Sequence, residues 1–134
     1  MDKLTSSPLR NQPETGTLPP GRLRRVTEYI RQNLDRELPL AELAALVYMS
    51  PYHFARLFKR STGVPPHRFV IRQRIVHARA ILATRGLSVA QISRMVGFRT
   101  PSHFSAVFRR ATGLTPNRYR IASLREERPG PEGG

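Results

Sequence analysis

Ser50-Pro51-Tyr52-His53-Phe54-Ala55-Arg56-Leu57-Phe58-Lys59-Arg60-Ser61-Thr62-Gly63-Val64-Pro65-Pro66-His67-Arg68-Phe69 lies over a second stretch fifty residues on. That stretch is Thr100-Pro101-Ser102-His103-Phe104-Ser105-Ala106-Val107-Phe108-Arg109-Arg110-Ala111-Thr112-Gly113-Leu114-Thr115-Pro116-Asn117-Arg118-Tyr119, and nine of the twenty positions are identical. Self-similarity at a fixed offset marks one structural unit used twice. The match extends upstream if the second copy's turn carries one extra residue, pairing Leu43-Ala44 with Ile92-Ser93 and Val47 with Val96.

Each copy carries its own punctuation. Ser50 and Thr100 suit N-caps, and the prolines that follow them suit the first helical position, where a missing N–H costs nothing. Gly63 and Gly113 suit a left-handed residue closing those helices, and Pro66 and Pro116 then open the next ones. Upstream, Leu40, Leu43, Ala44 and Val47 form a short apolar stripe, separated from the capped helix by a turn at Tyr48-Met49; the second copy's turn is Gly97-Phe98-Arg99. A short helix, a tight turn and a second helix of about three turns make a helix-turn-helix, whose second helix enters the DNA major groove.

Leu23, Val26, Ile30 and Leu34 mark a first helix, and Ile71, Ile75, Ala78 and Leu82 mark a helix joining the two copies, ended by Thr84-Arg85-Gly86. No alternating strand pattern is sustained, so the fold class is all-α. The organisation is a disordered Pro/Ser/Thr-rich arm over 1–20, a first helix-turn-helix subdomain over 21–65, a linker helix over 66–84, a second subdomain over 85–124 and a disordered tail over 125–134.

Charge points to the partner. The net charge is +14 over 134 residues, and from Leu43 to Arg125 there are fifteen Lys or Arg and no Asp or Glu. An acid-free field of that length is useful near a polyanion. The high arginine share, 21 of 23 basic residues, also fits a compositional bias, but such a bias leaves acidic residues interspersed. The chain has no cysteine, which excludes disulfides and thiolate chemistry. With neither a leader pattern nor an apolar run of membrane length, a cytoplasmic protein is expected.

With these residues in view, the chain resembles the DNA-binding domain of the AraC/XylS family of bacterial transcription regulators over residues 22 to 121. The resemblance is carried by Ile92, Gly97-Phe98, Ser102, Phe104, Phe108-Arg109-Arg110, Gly113, Pro116 and Tyr119-Arg120, with Arg74-Ile75, Ala78 and Leu82 at the linker's spacing. It implies two helix-turn-helix subdomains of homeodomain-like three-helix type, bridged by one long helix and reading successive major-groove segments. Most members add a sensing or dimerisation domain. Here the resemblance is to smaller stand-alone members that bind asymmetric sites as monomers; since most of the family's members are activators, activation is expected, with RNA polymerase as a further partner, and a truncated or split regulator, competing with a full-length relative, is the alternative.

Placing each reading helix at 100° per residue separates core from surface. Phe54, Leu57 and Phe58 point inward, while Tyr52, Arg56 and Lys59 point outward with Ala55 and Arg60 beside them. In the second copy Ser102, Ala106 and Arg109 point outward, with Ser105 beside them and Arg99 in the turn. The base-reading candidates are therefore Tyr52, Arg56, Arg99, Ser102 and Ser105, and the phosphate candidates are Lys59, Arg60, Arg72, Arg74, Arg109 and Arg110. Ala106 lacks reach, so specificity is expected mainly in the first unit, with the second leaning on DNA shape or a thymine methyl.

His53 and His103 repeat but lie in separate units, and His67 and His77 offer no ligand spacing with them, so no metal is expected. No carboxylate lies within the basic stretch to complete a catalytic triad and no phosphate loop is present, so neither enzyme activity nor a cofactor is expected. The competing reading is a non-specific nucleic-acid or anionic-membrane binder driven by charge alone. It needs neither the caps nor a fixed outward face.

Overall fold

The computed structural model describes residues 16–84 and 86–127, which form seven helices and no strand. They are α1 (Pro20–Gln32), α2 (Leu40–Ala45), α3 (Pro51–Thr62), α4 (Pro66–Leu82), α5 (Val89–Met95), α6 (Pro101–Thr112) and α7 (Pro116–Glu127). The described residues fall into two compact units: the first takes those up to Asn33 and Leu38–Val70, the second takes Leu34–Glu37 and those from Ile71 to Glu127. α4 gives its first turn to one unit and the rest to the other.

The caps form where the residue types require them. The Ser50 hydroxyl accepts from the His53 N–H at 3.2 Å, and the Thr100 hydroxyl from the His103 N–H at 3.1 Å. Ser88 and Gln91 cap α5 reciprocally. Gly63 and Gly113 close α3 and α6 at φ of +90° and +86°. Thr62 and Thr112 then repeat one further bond, each hydroxyl accepting from the N–H two residues on, at 3.3 and 3.2 Å.

The turns between α2 and α3 and between α5 and α6 share one backbone motif. In the first copy the Met49 N–H donates to the Ala44 carbonyl and the Tyr48 N–H to the Ala45 carbonyl; in the second, Phe98 donates to Ser93 and Gly97 to Arg94. This is the Schellman closure, in which the donor of the shorter bond lies in the left-handed region. Gly97 sits there at φ +92°, and Tyr48 sits in the equivalent place at +57°.

In the first unit Val26, Ile30, Leu43, Phe54 and Phe58 are fully buried, and the Phe58 ring meets Phe69 edge-on at 5.2 Å. The Tyr29 hydroxyl bonds the Glu42 carboxylate, fastening α1 to α2. In the second unit Ala78, Leu82, Ile92, Val96, Phe104 and Phe108 form the core, and Tyr119 meets Phe108 edge-on at 5.3 Å. Arg120 completes that unit from α7: its Nη2 donates to the Leu87 carbonyl at 2.5 Å and its Nε to the Leu82 carbonyl at 3.3 Å.

Three boundaries differ from the sequence expectation. Leu34 is buried, but beyond the end of α1, because the backbone leaves the helix at Asn33, whose side-chain amide donates back to the Tyr29 carbonyl. The arm expected over 1–20 includes Leu18, which is buried and whose N–H bonds the Ser61 hydroxyl at 2.8 Å. The tail expected from 125 begins inside α7, which runs to Glu127. The rest of both expected disordered segments, residues 1–15 and 128–134, lies outside the described residues, as does Arg85.

Candidate nucleic-acid interface

α3 presents two faces. Phe54, Leu57 and Phe58 are buried, while Tyr52, Arg56, Lys59 and Arg60 are exposed and Ala55 is half-buried. The Arg56 guanidinium lies 5.7 Å from the centroid of the Tyr52 ring, one helical turn back. A cation over an aromatic face at this spacing restricts both side chains without consuming the donors of the guanidinium. The structure thus brings Tyr52 and Arg56 together as one outward pair, with Lys59 and Arg60 a turn further along the helix.

α6 divides the same way. Phe104 and Phe108 are buried; Ser102, Ala106, Arg109 and Arg110 are exposed, and Ser105 is half-buried. Only the two arginines in that outward set have long reach, and both stand in the last turn of the helix.

Arg99 and Arg74 are already engaged. Arg99 donates from Nη2 to Glu37 Oε2 at 2.6 Å, with side chains 83% and 75% exposed. Arg74 is half-buried on α4, donates from Nη2 to the Arg36 carbonyl at 2.8 Å, and lies 6.0 Å from the Phe98 ring centroid. Burial pulls its pKa below the ordinary guanidinium value, while the Glu37 carboxylate pushes it back up. Its buried Nε has no hydrogen-bond partner. Arg72, the other phosphate candidate on α4, is exposed.

The histidines stay apart from any ligand geometry. His53, His67 and His77 are exposed, and His103 stands edge-on to Phe98 at 5.3 Å. Among the described residues no cluster of three or more His, Cys, Asp or Glu side chains is present. No described helix is long and apolar enough to cross a membrane.

Two residues beside these candidates lie outside the sequence expectations. Glu37 is the acid that engages Arg99, sixty-two residues away, and no local pattern links them. Tyr48 is 86% exposed in a left-handed backbone conformation. The repeat alignment offered a signal for it, since it pairs Tyr48 with a glycine.

Exposed cationic and aromatic side chains on the second helix of a capped helix-turn-helix define a DNA-binding class of domain. A family model described as "Helix-turn-helix domain" matches residues 43–122. The DNA-binding domain of AdpA, a global transcriptional factor solved in complex with a target DNA, is 35% identical with a TM-score of 0.74; the match covers 81% of this chain and 96% of that one. A transcriptional regulator from Chromobacterium violaceum with an AraC-type DNA-binding domain superposes with a TM-score of 0.74 at 27% identity, covering 82% of this chain and 96% of that one. The regulatory protein PocR of Salmonella typhimurium is 39% identical over 77 residues, which are 58% of this chain and 25% of PocR. The chain belongs to the AraC/XylS family of transcription regulators, and its fold is that family's DNA-binding domain. It spans about a quarter of the length of the curated relative PocR.

Proposed function

We propose that the chain is a sequence-specific, double-stranded DNA-binding regulator of transcription that acts as an activator, each unit placing its second helix in a major-groove segment. The observation that carries this reading is the Tyr52–Arg56 pair, which stands outward from a helix whose opposite face is locked into the core by Phe54 and Phe58. A guanidinium so held suits the bidentate acceptors of a guanine edge. Arg99, Ser102 and Ser105 are the second unit's base-reading candidates, while Lys59, Arg60, Arg72, Arg109 and Arg110 take phosphates. Arg74 holds the Arg36 carbonyl and serves as a support for that unit, with phosphate contact only through what its guanidinium leaves free.

AdpA was solved on a target DNA, and its likeness to this chain supports the same partner here. We place the protein in the cytoplasm, as a monomer on its site, with RNA polymerase as the partner of activation. Selection of bound duplexes from a random pool by the full chain tests the reading: enrichment of one motif is expected, with affinity falling steeply as salt rises. Binding that is equal on all duplexes would favour the charge-driven reading, for which the short reach of Ser102 and Ala106 is the relevant observation.

A further inference from the structure

Tyr48 occupies a backbone position that a tyrosine should avoid. A left-handed φ brings Cβ against the following carbonyl, which is why glycine or asparagine usually takes the left-handed position of a Schellman closure. The second copy shows the ordinary solution, Gly97, and also shows why glycine is forced there: a Cβ on Gly97 would lie 2.0 Å from the Leu34 carbonyl oxygen. At Tyr48 the side chain projects into solvent with 86% of its surface exposed. A ring so exposed gives the fold little, and the backbone bears a strain that a glycine would remove. Strain held at an exposed aromatic residue points to a contact made outside the chain.

The surroundings narrow the contact. Tyr48 stands two residues before Ser50, the N-cap of α3, and four before Tyr52, which is itself 73% exposed and carries Arg56 over its ring. The sequence from Leu43 to Arg125 holds no carboxylate. A phenol is a neutral donor on a rigid, two-torsion side chain, and at the entry of a major-groove helix the acceptors within reach are phosphate oxygens. We infer that Tyr48 is a DNA-backbone contact of the first unit, its hydroxyl donating to a phosphate at the mouth of the groove that α3 enters, so that the turn anchors the register in which Tyr52 and Arg56 meet the bases. This rests on the DNA-binding reading proposed above.

The test uses the full chain and the duplex most enriched from a random pool. Tyr48→Gly and Tyr48→Phe are compared with the unaltered protein in thermal unfolding and in binding at several salt concentrations. Tyr48→Gly should unfold a few degrees higher yet bind roughly tenfold more weakly, a pairing of opposite signs that a merely structural role does not produce. Tyr48→Phe keeps the strain and the ring, so it should unfold with the unaltered protein and bind about three- to fivefold more weakly. Neither variant should change the slope of affinity against salt, because tyrosine displaces no counterion. Undiminished binding by Tyr48→Gly would overturn the inference, as would a reduced salt slope, which would place the lost contact on a neighbouring arginine. If the unaltered chain enriched no duplex, the DNA-binding reading would fail and the inference with it. Enrichment followed by unchanged affinity in both variants would remove only the role of Tyr48.

Discussion

Glu37 holds Arg99 through a 2.6 Å ion pair, although the two residues stand sixty-two positions apart and Arg99 lies in the turn leading into α6. Exposed pairs of this kind contribute little to stability and are screened by salt. The consequence falls on binding: Glu37 keeps one donor of the second unit occupied and sets a negative charge beside it. Glu37→Gln should therefore leave thermal unfolding almost unchanged while tightening binding about two- to fivefold at low salt. The gain should fade as salt rises. A loss of affinity, measured by titrating the selected duplex, would show that Glu37 presents Arg99 to the DNA rather than withholding it.

Gly97 and Gly113 have nearly the same φ, +92° and +86°, but different surroundings. A Cβ on Gly113 meets nothing within 4 Å, whereas one on Gly97 meets the Leu34 carbonyl oxygen at 2.0 Å and the Arg74 guanidinium at 2.8 Å. Gly113→Ala should cost about 1–2 kcal/mol, the left-handed penalty alone. Gly97→Ala should cost more than about 3 kcal/mol, because either the Leu34 backbone or the turn must move. Denaturant unfolding followed by circular dichroism separates them, and equal costs would mean that the Leu34 contact yields easily.

These relationships also show which parts of the molecule were legible from sequence. Helices α3 and α6, their Ser50 and Thr100 caps and the phenylalanine stripes were legible because each depends on spacing within one turn or two. The faces of α3 and α6 followed from the same periodicity. The assignment of Leu34–Glu37 to the second unit was not legible, since its partners Arg74 and Arg99 lie thirty-eight and sixty-two residues on. Leu18 was hidden for a similar reason: the leucines of that Pro/Ser/Thr-rich stretch, at 4, 9 and 18, keep no regular spacing, and the anchor of Leu18 is a hydroxyl forty-three residues away. Arg74 read as a surface cation because α4 alone does not reveal that Phe98 and the Arg36 carbonyl cover it.

Arg120 invites a test of the second unit's closure. Its guanidinium satisfies the carbonyls of Leu82 and Leu87, one ending α4 and the other just before α5, and its side chain is half-buried. The repeat places Val70 at the corresponding position of the first unit, where it is buried and apolar. Arg120→Leu should destabilise by about 1–3 kcal/mol by stranding two acceptors. Arg120→Lys should recover only part of this, since one ammonium cannot span two carbonyls with a fork's geometry. Full recovery by lysine in denaturant unfolding would show that charge, not the two-point bond, is what α7 contributes.

The comparison of Arg56→Ala with Arg109→Ala bears most directly on how the two units divide their work. Both residues are exposed, but Arg56 stands in the first half of α3 over the Tyr52 ring, while Arg109 stands in the last turn of α6 beside Arg110. Base edges are met near the start of such a helix and phosphates further along it. Arg56→Ala should cost about 1–3 kcal/mol on the selected duplex and flatten preference at one or two neighbouring base pairs. Arg109→Ala should weaken binding equally on all duplexes and lower the salt slope by roughly one. Both variants would be titrated on the selected site and on its single-base variants at several salt concentrations. If Arg109→Ala reordered those variants while Arg56→Ala left their order intact, base reading would belong to α6, and the outward pair on α3 would be a phosphate clamp.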